Sequence, residues 1–441
     1  MQLQQSKFGK ILCVYAANQT YTPTIFEHLD SFRKYSKYYW HYLNISAFND
    51  GSEHLESFDA VVFHYSVRLP FGQVSQSGFE SLRKFRGLKV LFIQDEYDGT
   101  NEVKRLINSI PFDLVFSVVP ARSLERVYPS DEFPRTRFVS NLTGYAPDNL
   151  IDQIGRLTAP SKRTLVIAYR GRPLPIRYGR LGQEKIAIGQ HVRDYCRKRG
   201  IPSDIEWCES SRIYGDAWYR FIGSAKAMLG CESGSNVFDW DGTLQQAINR
   251  YRKERPNATD QDVYKNFIEE REVDGLMNQV SPRIFEMAAA KTVMVLFEGE
   301  YSGVLEPNTH FLPLKKDFSN LDQIFTELAD DITVDAIAER AYQDIILSER
   351  YGYRQFVTMV DGEIGAMFEE LKLPLTEAVS SPLAPWSKAT RFPVKSKPPL
   401  PQMLTRSSLP FSSVVVRLMI AVWQRIPVGI RPYIKRLLGR A

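Results

Sequence analysis

The residues best suited to chemistry lie in a short segment that precedes an apolar run. Ser281 fits the N-cap of a helix and Pro282 its first position, so these two residues predict a helix start. Arg283 and Glu286 then lie one turn apart on the same face. An arginine at a helix N-terminus favours phosphate, and a carboxylate accepts hydrogen bonds from ribose hydroxyls. This pattern predicts a nucleotide site.

A second polar cluster directly follows the apolar run 227–230 and consists of Glu232, Ser233, Gly234, Ser235 and Asn236. Small residues at the end of a strand let a ligand approach the backbone, and their hydroxyl and amide groups supply hydrogen bonds. We expect this cluster to contact the sugar or the base of the same nucleotide. Asp239 and Asp241 follow two residues apart, a spacing that is commonly a turn former, so we expect no metal here.

The elements that must position these residues are short apolar runs that alternate with amphipathic stretches. This alternation predicts parallel sheets covered by helices. The predicted strands form two series: 11–16, 60–64, 89–93 and 114–119, then 165–169, 205–207, 227–230, 292–297 and 310–313.

The stretch between the two series, 144–163, contains prolines and no strand pattern, which indicates a boundary. We therefore expect an α/β fold of two Rossmann-like, doubly wound domains, residues 1–150 and 160–373, which face each other across a cleft. The stretch 244–271 predicts a helical insertion or a solvated surface helix.

Residues 160–350 resemble the donor-binding half of GT-B glycosyltransferases, in which a glutamate opening such a helix holds the donor's ribose. Glu286 matches that residue. The resemblance continues through Gly299-Glu300-Tyr301-Ser302-Gly303, similar to the family's loop beside the diphosphate, and so implies donor contacts for Tyr301, Ser302 and Gly303. The chain departs from the family at Asn278. Retaining members have another glutamate eight residues before the ribose-binding one, and Asn278 occupies that position here.

The family also neutralises the donor diphosphate with a Gly-Arg-Leu segment and a lysine five residues after the arginine. Arg180 and Lys185 match that spacing, and Arg172 lies nearer the predicted strand end and competes for the same role. Two cations suit a departing nucleoside diphosphate, whose charge grows as the glycosidic bond breaks. The alternative is that all three belong to a solvated loop.

In GT-B enzymes the acceptor generally faces the N-terminal domain, where predicted strand ends carry His64, Asp95 and Glu96. The resemblance therefore implies that these residues activate or position the acceptor hydroxyl. A strand-end histidine is also often a structural hydrogen-bonding group, and acids in such loops often cap helices. These readings stay open.

Together, the resemblance implies transfer of a sugar from a nucleoside-diphosphate sugar to a glycan or lipid-linked acceptor. The nucleotide sugar is a substrate, so no cofactor and no metal are expected. Two alternatives are a sugar-nucleotide epimerase of the same fold, which needs no acceptor, and a non-catalytic scaffold that binds nucleotide sugars or glycans, which shows no turnover.

Composition is that of an ordinary globular protein, with 441 residues, 44% hydrophobic and 24% charged. The four cysteines form no CxxC pair and fit a reducing compartment. Residues 1–10 lack the pattern of a signal peptide, and no apolar run reaches the roughly 20 residues of a membrane span. We expect a cytoplasmic protein.

The end of the chain has a different composition. Residues 374–411 are rich in proline and predict a linker, and residues 412–441 predict a basic amphipathic tail. From residue 378 onward there are eleven Lys or Arg and no acid. Because the net charge of the whole chain is +5, residues 1–377 carry a net charge of 5 − 11 = −6. This pattern predicts peripheral contact with the inner face of a membrane and a role in surface polysaccharide or glycolipid assembly. We expect no nucleic-acid partner, because the tail lacks interleaved aromatic residues.

Overall fold

The structure, a computed structural model, describes residues 9–17, 23–51 and 54–376. The predicted tail and all of the predicted linker beyond residue 376 lie outside these ranges. Within them, none of the helices combines the length and the hydropathy that crossing a membrane requires.

The first sheet has six parallel strands in the order β2-β1-β3-β4-β5-β6. Its inner strands β1, β3, β4 and β5 are apolar and buried, as strands covered on both faces must be. The strands are β1 Lys10–Tyr15, β2 Tyr39–Asn44, β3 Ala60–Phe63, β4 Leu88–Ile93, β5 Leu114–Ser117 and β6 Arg137–Ser140. The helices are α1 Pro23–Tyr35, α2 Ile45–Asn49, α3 Gln76–Lys84, α4 Thr100–Ser109, α5 Ala121–Val127 and α6 Leu150–Ile154.

The second sheet has five parallel strands in the order β13-β12-β9-β7-β8. A two-stranded antiparallel ladder, β10 with β11, lies apart from it. The strands are β7 Leu165–Arg170, β8 Ser203–Glu206, β9 Ala225–Gly230, β10 Ser233–Gly234, β11 Asn278–Gln279, β12 Val293–Phe297 and β13 Phe311–Leu314. The helices are α7 Gly179–Arg199, α8 Asp216–Ile222, α9 Thr243–Glu254, α10 Asp260–Val263, α11 Arg283–Ala289, α12 Leu321–Ala329, α13 Asp331–Ala341 and α14 Tyr353–Glu370.

Both sheets follow the same strand order, in which the second strand lies outside the first and the later strands lie on the other side. The direction of winding therefore reverses between β1 and β3 in one sheet and between β7 and β9 in the other. In open parallel sheets such a reversal leaves a crevice at the carboxyl ends of the strands, where ligands bind. The prediction of two doubly wound α/β sheets is confirmed.

The last helix, α14, packs against α1 of the first sheet. The Ser36 hydroxyl donates a hydrogen bond to Asp361 at 2.7 Å, and the rings of Phe32 and Phe356 lie 5.5 Å apart. The chain therefore returns to the first half after building the second. The domain boundaries given above stay predictions.

A segment of the second half is built into the first. The Asp239 amide donates to the Tyr97 carbonyl at 2.8 Å, and the Gly99 amide donates to the Asp239 carbonyl at 2.9 Å. Beside this backbone bridge, Phe238 and Met277 are buried in the core of the first sheet. We call this segment, residues 236–241 with 276–277, the strap.

Candidate functional site

A cavity of about 230 Å³ opens at the carboxyl ends of β7 and β9, beside the first turn of α11. It lies at the point where the winding of the second sheet reverses, which is where such folds bind ligands. We call it the donor cavity. It is lined by Tyr169, Arg170, Gly171, Arg172, Leu174, Lys185, Gly230, Cys231, Ser281, Arg283, Ile284 and Met287.

Cations dominate the donor cavity, and no carboxylate is among its described lining residues. Arg172 is exposed and forms no ion pair with the described residues. The Lys185 ammonium donates to the Ser233 hydroxyl at 3.2 Å, and the Arg283 guanidinium donates to the Arg170 carbonyl at 2.9 Å. These bonds orient the two side chains without neutralising their charge. Three cations are therefore available to an anionic ligand.

The fourth cation of the lining, Arg170, is neutralised. Its Nη1 lies 2.8 Å from Asp204 Oδ1, and its Nε donates to the Ser211 carbonyl at 3.0 Å. A guanidinium held by a carboxylate has less to offer a second anion. Arg170 therefore supports the wall of the donor cavity.

Arg180 does not line the cavity, although the sequence pairs it with Lys185. Its guanidinium reaches Glu272 at 3.0 Å and Asp274 at 3.4 Å, and its side chain is 65% exposed. The physical reason is helical geometry. Residues 180 and 185 both lie on α7, where a spacing of five residues turns the side chains roughly 140° apart.

Glu286 lies beside the cavity on α11, one turn after Arg283 and directly before the lining residue Met287. The Trp218 indole donates to its Oε2 at 2.8 Å, while its Oε1 forms no hydrogen bond with the described residues. Burial raises the pKa of Glu286, and the indole bond and the Arg283 charge oppose that rise. One carboxylate oxygen is thus left for a ligand hydroxyl.

Sequence reasoning missed Trp218, whose ring centroid also lies 5.0 Å from the Arg283 guanidinium. The only sequence signal is an aromatic residue in a short helix before a predicted strand, which core packing explains equally well. The predicted N-cap at Ser281 is also shifted. The helix begins at Arg283, Pro282 holds the cap position, and no side chain caps it.

Within the cluster 232–236, the Ser233 hydroxyl and the Glu232 carbonyl accept hydrogen bonds from Lys185 of the cavity. Ser235 and Asn236 are buried and hold the backbone, with Ser235 donating to the Val237 carbonyl at 2.8 Å. Gly234 has a φ of +102°, and a Cβ there would lie 1.9 Å from a backbone oxygen, so only glycine fits. Most of the cluster therefore shapes the backbone around β10.

Tyr301, Ser302 and Gly303 form a tight turn behind β11 and do not line the donor cavity. Tyr301 is fully buried, and its hydroxyl donates to the Phe297 carbonyl at 2.6 Å. The Ser302 hydroxyl accepts a bond from the Val280 amide at 3.0 Å. The turn thereby fixes the residue that precedes Ser281.

The carboxylates of Asp239 and Asp241 serve the start of α9. Asp239 accepts the amides of Leu244 and Gln245 at 3.0 and 3.1 Å, and Asp241 accepts the amide of Thr243 at 3.0 Å. These are cap and turn interactions. Among the described residues, no group of three His, Cys, Asp or Glu could hold a metal ion.

On the first sheet, the structure exposes only one of the three residues predicted to handle an acceptor. His64 is fully buried, with Ser66 Oγ 2.9 Å from Nδ1 and His28 Nδ1 3.1 Å from Nε2. Burial and the neighbouring His28 hold the pKa of His64 well below its ordinary value. His64 thus has the geometry of a neutral, structural histidine.

Glu96 is also buried. Its Oε1 accepts the Ser117 hydroxyl at 2.5 Å, its Oε2 has no described hydrogen-bond partner, and burial raises its pKa to about 8. Asp95 is exposed at the end of β4, where it accepts the Tyr97 hydroxyl at 2.6 Å. Of the three acceptor-side residues, only Asp95 is exposed to solvent.

Direct contacts join the end of β4 to the donor cavity. The Gln94 amide donates to the Thr143 carbonyl at 3.4 Å, and the Thr143 hydroxyl donates to the carbonyl of Val280, which precedes the lining residue Ser281. Nearby, Arg177 Nη1 lies 2.6 Å from Asp98 Oδ1, and both side chains are largely buried. Ligands at the two sheets would therefore lie close to each other.

No protein-family model and no curated protein matches the chain. Among solved structures, Anabaena HepE in complex with UDP and glucose is 9% identical over 81% of this chain and 100% of its own, with a TM-score of 0.47. An α-glucosyltransferase in complex with UDP-glucose and DNA containing an abasic site is 12% identical over 80% and 98%, with a TM-score of 0.43. T4 phage BGT in complex with its UDP-glucose substrate is 10% identical over 82% and 98%, with a TM-score of 0.40.

The resemblance is to GT-B glycosyltransferases. At these identities and TM-scores it carries no argument about chemistry, which has to come from the residues of the site.

The departure from the GT-B pattern at Asn278 has a local counterpart in the structure. The Asn278 amide nitrogen donates to Glu232 Oε2 at 2.5 Å, and its Oδ1 is buried without a described partner. Glu232 Oε1 accepts the Tyr301 amide at 2.8 Å. A carboxylate thus lies directly beside position 278 although the residue itself is an amide.

Proposed function

We propose that the protein is a glycosyltransferase that binds a nucleoside-diphosphate sugar in the donor cavity and transfers the sugar to an acceptor hydroxyl. The observation that carries this proposal is the convergence of Arg172, Lys185 and Arg283 on a cavity whose described lining contains no carboxylate. A negatively charged diphosphate complements these three cations, and the Glu286 carboxylate one turn along α11 can accept hydrogen bonds from ribose hydroxyls.

In the proposed reaction, the bond between the anomeric carbon and the diphosphate oxygen breaks and the diphosphate leaves with the electron pair. The acceptor oxygen forms the new bond to the anomeric carbon, and its proton is released. Negative charge grows on the diphosphate as its bond breaks, so fixed cations stabilise the transition state more than the bound substrate. Lys185 and Arg172 serve that purpose.

The acceptor is a glycan or a lipid-linked glycan precursor at the inner face of the membrane, and the setting is assembly of a surface polysaccharide or glycolipid. Support comes from the sequence of residues 412–441, whose basic and apolar residues suit an anionic lipid surface. The protein is accordingly proposed to be cytoplasmic and peripheral.

The test is product analysis with UDP, dTDP and GDP sugars in the presence of membrane lipid extract. We expect release of nucleoside diphosphate that depends on the extract and falls about tenfold in Arg172→Ala, because an exposed cation is lost from the phosphate site. Arg340→Ala is the matched control, since Arg340 is an exposed arginine on α13 without described partners.

Each other outcome has a defined meaning. A new sugar species formed without acceptor would replace the transferase by an epimerase. Binding of a nucleotide sugar without any turnover would replace it by a scaffold. Equal rates in Arg172→Ala and Arg340→Ala would remove the cation cluster as the basis of the proposal.

A further inference from the structure

A second, smaller cavity, which we call the groove, lies at the carboxyl ends of β3 and β4 and has a volume of about 20 Å³. This volume holds little more than a water molecule, so a sugar ring would lie over the groove. Its lining includes Arg68, Phe71, Asp95 and Asp98. Asp98 forms an ion pair with Arg177, and Arg177 lies three residues after Leu174, which lines the donor cavity. One short loop therefore connects the groove to the donor cavity.

Phe71 gives the groove an apolar platform. Its side chain is 52% exposed, which is unusual for a phenylalanine, and the Arg68 guanidinium carbon lies 4.2 Å from its ring centroid. An aromatic ring with one face held in place can pack against the C–H face of a pyranose ring. The guanidinium beside it supplies N–H donors.

Asp95 gives the groove a fixed acceptor. Its backbone has a φ of +58°, which aspartate adopts less readily than glycine, and such strain is often kept where it aims a side chain at a ligand. Tyr97 bonds to Oδ1, and Oδ2 forms no hydrogen bond with the described residues. A free carboxylate oxygen on an exposed residue suits a ligand hydroxyl.

The groove has no surplus of positive charge. Arg68 and Arg177 are balanced by Asp98 and Asp95, and Asp98 lies within 3.8 Å of Arg68 as well as 2.6 Å from Arg177. Glu96, which also lines the groove, is an acid whose pKa burial raises to about 8, so it adds no positive charge. An acceptor bearing phosphate or carboxylate would meet Asp95 without an unpaired cation, in contrast to a ligand of the donor cavity.

We infer that the groove binds the acceptor of the transfer reaction and that the acceptor's bound part is an uncharged carbohydrate, with a sugar ring on Phe71 and its hydroxyls on Asp95. This inference rests on the proposed function, because the groove matters only if a donor occupies the neighbouring cavity. It narrows the acceptor from a glycan or lipid-linked glycan of any charge to one whose bound part is uncharged.

The experiment measures binding by ligand-observed NMR, with the full chain saturated with UDP. The probes are the methyl glycosides of glucose, galactose, mannose and N-acetylglucosamine, together with the methyl glycosides of the corresponding uronic acids, each of which replaces the hydroxymethyl group by a carboxylate. We expect at least one neutral glycoside to bind, and its uronide to bind at least about fivefold more weakly.

Two variants locate the site. Phe71→Ala should weaken the neutral glycoside about fivefold or more, and Asp95→Asn should weaken it by a similar factor. Ile332→Ala serves as the matched control for loss of an exposed apolar side chain, since Ile332 is 82% exposed on α13 and lines neither cavity.

The inference is overturned if no neutral glycoside binds up to about 50 mM, if the uronides bind as tightly, or if Phe71→Ala behaves like Ile332→Ala. A parallel UDP titration separates the two levels of the argument. If the wild-type protein binds UDP but no neutral glycoside, the acceptor inference alone is refuted. If the wild-type protein binds neither UDP nor any nucleotide sugar, the proposed function is refuted.

Discussion

Replacing Lys185 by methionine is the sharpest test of the donor cavity, because Arg180 provides a control on the same helix. Lys185 lies at the cavity wall, where its ammonium already donates to Ser233 Oγ at 3.2 Å and to the Glu232 carbonyl at 3.4 Å. Methionine keeps most of the apolar stem and removes only the charged donor. We therefore expect Lys185→Met to weaken UDP binding without unfolding α7.

The magnitude follows from two opposing contributions. An ammonium about 4 Å from one phosphate charge gains about 4 kcal/mol at an effective dielectric of about 20. Part of that gain is offset because the ammonium gives up its present partners and part of its hydration, and hydrogen bonds to charged groups contribute about 1.5–3 kcal/mol net. We take about 2 kcal/mol, which weakens UDP binding about 30-fold.

Arg180→Met should change UDP binding less than about twofold, because its guanidinium is exposed and already paired with Glu272 and Asp274. The assay is calorimetric titration of UDP into wild type, Lys185→Met and Arg180→Met at the same ionic strength, after thermal melts establish that all three are folded. Equal losses in the two variants, or a larger loss in Arg180→Met, would refute the orientation of α7 on which the donor site depends.

Two further predictions concern stability and membrane contact. Burial raises the pKa of Glu96 in the folded protein to about 8, whereas the ordinary value of a glutamate is 4.5. Between these two values the folded protein keeps a proton that the unfolded chain has released, so the free energy of unfolding falls as the pH rises from 4.5 to about 8. The loss is about 2 kcal/mol between about pH 6 and pH 8, and Glu96→Gln should abolish it. The measurement is urea unfolding of wild type and Glu96→Gln across this pH range. The same dependence of the free energy of unfolding on pH in both proteins would contradict a buried, protonated Glu96. Deletion of residues 378–441 should abolish co-sedimentation of the protein with vesicles of anionic lipid, since eleven cations are removed. Co-sedimentation with vesicles of neutral lipid should not change. Undiminished sedimentation would exclude the tail as the membrane contact.

The sequence predicts the interior strands well because burial on both faces makes them continuous apolar runs, as in Ile11 to Ala16. It does not reveal the edge strands β2 and β6. Along β2 only Trp40 is buried, so the segment Tyr39–Asn44 has no apolar run to detect, and all four residues of β6 are partly exposed. These strands form because a neighbouring strand offers them hydrogen bonds, which is a property of the assembled sheet.

The candidate site divides in a similar way. Arg172, Lys185, Arg283 and Glu286 could be predicted because polar residues just beyond a strand or at a helix start must lie near the crevice. Burial and the direction of a side chain around a helix could not. His64 follows β3 as predicted, yet His28 of α1 lies against its ring, and Phe356 of α14, about 290 residues further along the chain, packs against His28.

The strap has a consequence for how the chain folds. Phe238 and Met277 come from the second half yet complete the core of the first, while α14 closes the first half only after the second has been made. Each half expressed alone would expose apolar surface that the other normally covers. Unfolding should therefore be a single cooperative transition in which both sheets lose structure together, and truncated halves should aggregate during synthesis.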